Sequence, residues 1–285
     1  MSAPAISLVC STVGRTDALT RQLDALVACE LAEQIEFILV DQSVEQACAQ
    51  LVADRGLPGP WKVATSGRGA SVGRNVGVGL ATAPVIAFPD DNCWYAPDTV
   101  RRVLTVLAER PDIDGLSAKQ VAADGSPSML RWLDHEVEIT RNNFMRTSIC
   151  STLFLRRAAL PSAAPFDEGI GTGSPGWRGS GEESDLLLRL LAAGSTVLYR
   201  PDIVVYQDDD RTEPGEDYVD KMLRYGVGIG HLWRRHRLPV RILAYYSGRK
   251  VVGAVVRAAR GERIRSRADR AYLRGTVAGW RGITP

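Results

Sequence analysis

Residues 84–92, Pro84-Val85-Ile86-Ala87-Phe88-Pro89-Asp90-Asp91-Asn92, join a five-residue apolar run to a turn with two adjacent carboxylates. A run this short, bounded by prolines and rich in β-branched and aromatic residues, reads as a buried strand rather than a helix. Three earlier segments share its character: Ala5–Cys10 (AISLVC), Ile35–Val40 (IEFILV, followed by Asp41) and Trp61–Thr65 (WKVAT). Between them, residues 17–29 place Leu19, Leu23, Leu26 and Val27 on one helical face, and residues 71–81 and 98–109 are also helical in pattern. Strand and helix in alternation predict an α/β fold, a mostly parallel sheet flanked by helices on both faces. Ligands of such sheets gather beyond the carboxyl ends of the strands, which selects residues 12–15, 41–43, 66–74 and 89–92.

The second half is less regular. Arg146–Leu155 reads as a buried strand, Phe166–Gly179 as a loop with five glycines, and Gly181–Ala193 as a helix with a leucine face. Val197–Tyr206 gives one or two strands interrupted by Pro201, and a helical segment runs from Asp217 to Arg237.

Composition narrows the function classes. With 45% hydrophobic and 24% charged residues over 285 positions, the chain can bury one large core or two modest ones, and disorder is excluded. The five cysteines, at 10, 29, 48, 93 and 150, form no CxxC pair and fit a reduced compartment. The start lacks a signal-peptide pattern, and no apolar stretch has the length to span a membrane. Residues 231–285 hold fourteen Lys or Arg against Glu262 and Asp269, a net +12, so residues 1–230 are net −10 within an overall +2. That asymmetry predicts a domain over residues 1–230 and a basic tail over 231–285.

Each candidate site has a chemical and a structural reading. Asp41, at the end of an apolar strand, can accept a base N–H or open an Asx turn. Gly67-Arg68-Gly69-Ala70-Ser71-Val72-Gly73-Arg74-Asn75-Val76-Gly77 offers backbone N–H groups and Arg74 to a diphosphate, or packs a helix closely through small residues. It lacks the GK[ST] of a P-loop and the GxGxxG spacing of a dinucleotide fold. Asp90 and Asp91 suit Mg²⁺ or Mn²⁺, or form a solvated turn. Ser180 with Glu183 fits a capping box, while a carboxylate at that helix start, Glu182 or Glu183, also suits a catalytic base. Gln207-Asp208-Asp209-Asp210 reads as surface charge at a strand end. Trp177 in the glycine loop and Asp185 are candidates for contact with an acceptor.

Taken in order and spacing over residues 5–230, these pieces resemble the family 2 glycosyltransferases of the GT-A fold, in particular bacterial enzymes that build exopolysaccharide or other cell-surface glycans. The carriers are Ser11-Thr12, Asp41, Gly73-Arg74-Asn75-Val76-Gly77, Asp90-Asp91-Asn92 and Gly181-Glu182-Glu183. The resemblance implies a nucleotide-binding half (1–95) and an acceptor half (96–230). It implies that Thr12, Arg15 and Asp41 hold the nucleoside, that Arg74 and Asn75 hold the nucleotide, and that Asp90 with Asn92 serves ribose and metal. Asp91 and Gln207 complete the implied metal set, and Glu183 falls at the position of the base of an inverting transfer. Asn92, Glu183 and Gln207 stand where relatives carry Asp, Asp and His; Glu183 keeps a base with a longer reach, while the neutral amides Asn92 and Gln207 weaken the expected hold on Mg²⁺ or Mn²⁺.

The implied donor is a UDP- or dTDP-linked sugar and the acceptor a glycan or lipid-linked hydroxyl. A non-catalytic nucleotide-sugar-binding protein is the alternative. In the tail, Ile242-Leu243-Ala244-Tyr245-Tyr246 and Val251-Val252-Gly253-Ala254-Val255-Val256 interleave with arginine, as in amphipathic helices at an anionic membrane surface. The expected location is cytoplasmic, peripheral at the inner face of the cell membrane. Nothing in the chain matches a nucleic-acid-binding motif.

Overall fold

The computed structural model describes residues 3–208 and 214–285. Among the described residues the strands are β1 (Ile6–Thr12), β2 (Ile35–Asp41), β3 (Trp61–Thr65), β4 (Val85–Ala87), β5 (Cys93–Tyr95), β6 (Gly115–Ala122), β7 (Val137–Glu138), β8 (Leu153–Arg156) and β9 (Val197–Gln207). The helices are α1 (Thr16–Val27), α2 (Ala47–Arg55), α3 (Ala70–Leu80), α4 (Thr99–Glu109), α5 (Glu182–Ala192), α6 (Glu216–Arg235), α7 (Val240–Ala259) and α8 (Arg263–Arg281). The chain divides into two compact units. The first takes the described residues of Met1–Arg68, Val72–Pro165 and Arg189–Asp209, the second those of Gly69–Ser71, Phe166–Leu188 and Asp210–Pro285.

The first unit holds the sheet, in the order β3-β2-β1-β4-β8-β6-β9-β5, with β7 also paired to β9. The predicted parallel arrangement holds for β3-β2-β1-β4. Beyond β4 the sheet is mixed, because β8 runs antiparallel to both β4 and β6, and β5 and β7 run antiparallel to β9. Successive side chains of a strand point to opposite faces. Ile6, Leu8 and Cys10 of β1 and Ile35, Phe37 and Leu39 of β2 therefore share one face, in a core with Leu19, Leu23 and Leu26 of α1, Val52 of α2 and Val103 and Val106 of α4. The other face of β1, marked by Val9, receives α3. A Cβ on Gly77 would overlap Val9, and one on Gly73 would overlap Ser11, so these glycines let the helix axis approach the strand.

Outside the parallel half the structure departs from the sequence expectation in places. Only Leu153–Arg156 of the expected strand Arg146–Leu155 is extended, and 3-10 turns at Phe144–Arg146 and Cys150–Thr152 replace the rest. Hydroxyl bonds accompany the turn: Thr147 Oγ1 donates to Asn143 O at 3.1 Å and Ser148 Oγ to Phe144 O at 3.1 Å, local bonds of the kind that compete with a ladder. Val197–Gln207 is one strand, and Pro201 falls in a bulge where its partner in β6 steps from Ala118 to Lys119. Gly115–Ala122 and Cys93–Tyr95 are strands that the pattern did not announce.

In the second unit α6 and α8 meet backbone to backbone. Cβ atoms on Gly226 and Gly230 of α6 would overlap the main chain at Tyr272 and Thr276, and on Gly275 and Gly279 of α8 the main chain at Leu223 and Val227. The division expected at residue 230 is therefore not where the chain divides, since α6 lies on both sides of that residue and packs with α8. Asp269 of α8, buried, pairs with Lys250 and Arg257 of α7, so part of the tail's basic charge is neutralised within the helical hairpin.

Gly77→Ala should lower stability by about 1–3 kcal/mol through overpacking against Val9. Gly79, on the same helix, faces open space, so Gly79→Ala should be neutral or stabilising by up to about 1 kcal/mol. Urea denaturation of the pair separates close packing from helix propensity; equal effects would refute the packing role of Gly77.

Candidate active site

The first unit gathers Thr12, Arg15, Asp41, Arg74, Asn75, Asp90, Asp91 and Asn92 around the carboxyl ends of β1, β2 and β4. The two adjacent aspartates have different fates. The Asp91 side chain is 2% exposed; its Oδ2 accepts from Thr12 Oγ1 at 2.7 Å and from Arg15 Nε at 3.1 Å, and its Oδ1 pairs with Arg15 Nη2. Burial pushes the Asp91 carboxyl up, against the downward pull of the Arg15 guanidinium and the Thr12 hydroxyl. The Asp90 side chain is 39% exposed and accepts from Nη2 of the nearly buried Arg74 at 2.9 Å. One carboxylate is thus locked inward and the other faces solvent beside a fixed cation.

Gln22 holds the backbone of this turn. Its Nε2 donates to Asp90 O and to Cys93 O, each at 2.9 Å. Sequence reasoning missed it, although the signal was present: Gln22 is a polar residue on the buried stripe of α1 between Leu19 and Leu23. Burial raises the Cys10 and Cys93 thiols beneath the turn, with Asp90 and, for Cys10, Asp91 adding to it, so neither supplies a thiolate nucleophile.

Asp41 adopts its turn geometry. Oδ1 accepts from Ser43 N at 2.9 Å and from Ser43 Oγ at 2.6 Å, and Oδ2 from Cys48 N at 3.2 Å. The glycine segment also splits differently from its expected use, because α3 starts at Ala70 and Gly73 and Gly77 lie inside it as packing residues. Arg74 and Asn75 are buried one turn in, where their side chains, rather than helix N–H groups, are presented.

Of the metal set expected from Asp90, Asp91, Asn92 and Gln207, the Asp90 carboxylate is the one that faces solvent. Asp91 is bound to Arg15, Asn92 is buried, and Gln207 Oε1 accepts from Ser128 Oγ at 3.2 Å. Among the described residues no group of three His, Cys, Asp or Glu side chains is placed to hold a metal. Asp90 remains, and one carboxylate fits Mg²⁺ or Mn²⁺ when ligand phosphates complete the shell. Asp208 pairs with Arg21, whose guanidinium lies 5.2 Å from the Trp94 ring centroid; Asp209 and Asp210 lie outside the described residues. Trp132 is buried and stacks on Tyr199 with ring centroids 6.0 Å apart.

The second unit carries the start of α5. Ser180 Oγ donates to Tyr225 O at 3.0 Å, and Gly181, at φ +96°, supplies the carbonyl that opens the helix to Asp185 N. Glu182 is 6% exposed and sits beside Gly171, where a Cβ would crowd its carboxylate. Glu183 is half-buried, its Oε1 accepting from Ser184 Oγ at 3.3 Å. Asp185, expected at the acceptor, is fully buried and accepts from His236 Nε2 at 2.8 Å and pairs with Arg235 Nε at 3.2 Å. It anchors the end of α6 instead. Trp177 stays 36% exposed in its glycine loop, backed by the Arg224 guanidinium 4.9 Å from its ring centroid.

The family model for glycosyl transferase family 2 matches residues 7–156, from β1 to the end of β8. The chain belongs to glycosyl transferase family 2. It is therefore a glycosyltransferase, and its fold is GT-A. Residues 1–349 of TarS from S. aureus, solved in complex with UDP-GlcNAc, align with 15% identity and a TM-score of 0.62 over 98% of this chain and 92% of that one. A longer S. aureus TarS structure aligns with 18% identity and a TM-score of 0.59, over 81% of this chain and 42% of that one. The mannosyltransferase PcManGT from Pyrobaculum calidifontis, in complex with GDP-Man and Mn²⁺, aligns with 13% identity and a TM-score of 0.66 over 98% and 88% of the two chains. No curated protein matches by sequence. In this family 2 chain the matched region contains the whole acidic turn and both of its arginine partners.

Asp91→Asn should cost about 1–3 kcal/mol, because Arg15 and Thr12 lose a charged acceptor inside the unit. Asp90→Asn, which removes charge from a carboxylate open to solvent, should cost less, under about 1 kcal/mol. Chemical denaturation of the two variants tests this, and equal losses would contradict the inward and outward roles.

Proposed function

We propose that this family 2 enzyme transfers a sugar from a UDP- or dTDP-linked donor to a hydroxyl of a glycan or lipid-linked acceptor in cell-surface polysaccharide synthesis, with inversion at the anomeric carbon. The observation that carries the reading is the Arg74–Asp90 pair: a fixed cation and a solvent-facing carboxylate at the end of β4, in the part of the chain that matches the family. Arg74 and Arg15 offer positive charge to a diphosphate, and Thr12, Asp41 and Asn75 line the same strand ends for the nucleoside. Mg²⁺ or Mn²⁺ held by Asp90 and donor phosphates would neutralise the leaving diphosphate. The TarS and PcManGT structures, with UDP-GlcNAc and with GDP-Man and Mn²⁺, support a nucleotide-sugar donor.

Glu183 is the proposed base. It is the more open of the two helix-start glutamates, and the α5 dipole favours its ionised form. It takes the proton of the acceptor hydroxyl as that oxygen bonds to the anomeric carbon. The bond from that carbon to the diphosphate oxygen breaks with its electron pair, and the nucleoside diphosphate leaves. One displacement inverts the centre. Glu182, under Gly171, is assigned to positioning the glycine loop.

Glu183→Gln should lower transfer at least about 100-fold with nucleotide affinity unchanged, measured by product formation and calorimetry. The competing reading, a nucleotide-sugar binder without catalysis, rests on the neutral Asn92 and Gln207; wild-type protein that binds donor and never releases nucleoside diphosphate would establish it. Full turnover after exhaustive chelation would remove the metal.

The same reading places the protein in the cytoplasm, peripheral at the membrane. No described helix is long and apolar enough to cross a membrane. On α7, however, Tyr245, Val251, Val252, Val255 and Val256 are exposed on one stripe, with Arg241, Arg249 and Arg260 on it or beside it, a pattern suited to an anionic surface. Val252→Glu with Val255→Glu should abolish flotation with anionic vesicles while leaving the melting temperature unchanged; undiminished flotation would remove α7 from the account.

A further inference from the structure

The second unit contains a cavity of about 740 Å³ whose wall includes Trp177, Arg178, Val227, His231, Arg234 and Ile283. Its positive charge is only partly compensated. Arg235, also on the wall, is taken up by Asp167 at 2.5 Å and Asp185 at 3.2 Å. Arg178 and Arg234 have no carboxylate partner among the described residues. The Arg234 guanidinium packs where Gly282, at φ +74°, has no Cβ. His231 adds a second unmet demand: its Nε2 is buried with no hydrogen-bond partner among the described residues. Burial, with Arg178 and Arg235 nearby, pushes the His231 pKa down to about 4, so the ring is neutral at physiological pH and offers one N–H or one lone pair rather than a further charge.

The buried His231 Nε2 is costly to leave without a partner, and Arg178 and Arg234, exposed at the same cavity, are the cations that can reach a ligand oxyanion there. Two arginines that are free of carboxylates match phosphate oxygens, which accept from the guanidinium fork. Trp177, Val227 and Ile283 give the same cavity an apolar wall on which a non-polar group next to the phosphate can lie.

We propose that this cavity binds a phosphate or diphosphate group carried by the acceptor, with Arg178 and Arg234 on the oxygens and His231 Nε2 as a third contact. The proposal rests on the glycosyltransferase reading for the word acceptor, and on the cavity alone for the phosphate. It makes the acceptor an anionic molecule rather than a neutral glycan.

The test is calorimetric titration of the full chain with inorganic pyrophosphate, with a short-chain prenyl diphosphate and with the matching prenyl alcohol. Wild type, Arg178→Gln/Arg234→Gln and Arg178→Lys/Arg234→Lys proteins are compared, with UDP titrated separately into each. Diphosphate affinity should fall at least tenfold in the double Gln variant and be partly kept in the double Lys variant, with UDP affinity and melting temperature unchanged. A prenyl diphosphate that binds more tightly than pyrophosphate would identify a lipid-linked source, and equal affinities a phosphate recognised by itself. Diphosphate affinity unaltered by the Gln substitutions, no diphosphate binding by wild type, or an alcohol that binds as tightly as its diphosphate would each overturn the proposal. Failure of UDP to bind wild type would count against the donor reading and leave the cavity result standing.

Discussion

Two adjacent aspartates at one strand end cannot both be left ionised and unpartnered, and the first unit is built around resolving that repulsion. Asp91 turns inward to Arg15 and Thr12; Asp90 turns outward to Arg74. The surroundings follow from this division. Arg74 reaches Asp90 from a helix that lies against β1 through Gly73 and Gly77, and Gln22 of α1 ties the carbonyls of Asp90 and Cys93. Arg15 comes from the loop between β1 and α1. Each element around the sheet end thus contributes one polar contact that the others would leave unmet.

The second unit follows a different principle. Glycines on α6 and α8 bring two main chains together, and the close approach leaves little room for side chains between the helices. The long basic side chains near the end of α6 are placed at the margins, where some meet carboxylates and some line the cavity. Asp185 is the fixed point of that arrangement, since Arg235 and His236 both converge on it.

Much of the first unit was legible in residue pattern. The four strands of the parallel half and helices α1, α3 and α4 follow from apolar runs and helical stripes, because burial of one face imposes its period on the sequence. The strand expected at Arg146–Leu155 was not safe from the same argument: hydroxyls of Thr147 and Ser148 bond locally, a choice that apolar content does not encode. Gln22 was readable as a polar residue on an apolar stripe, but its partners lie about 70 positions away.

By itself the sequence determined that an acidic turn follows a buried strand, that a glycine-rich helix precedes it, and that basic charge collects at the far end. Tertiary structure decided which aspartate faces solvent, that Gly73 and Gly77 pack α3 closely against β1, that Asp185 is an anchor, and that α6 and α8 form one helical assembly. The reason is physical. Periodicity is a property of one segment and its environment, whereas charge compensation and close backbone approach are properties of pairs, and those pairs exist only once the chain has brought distant segments together.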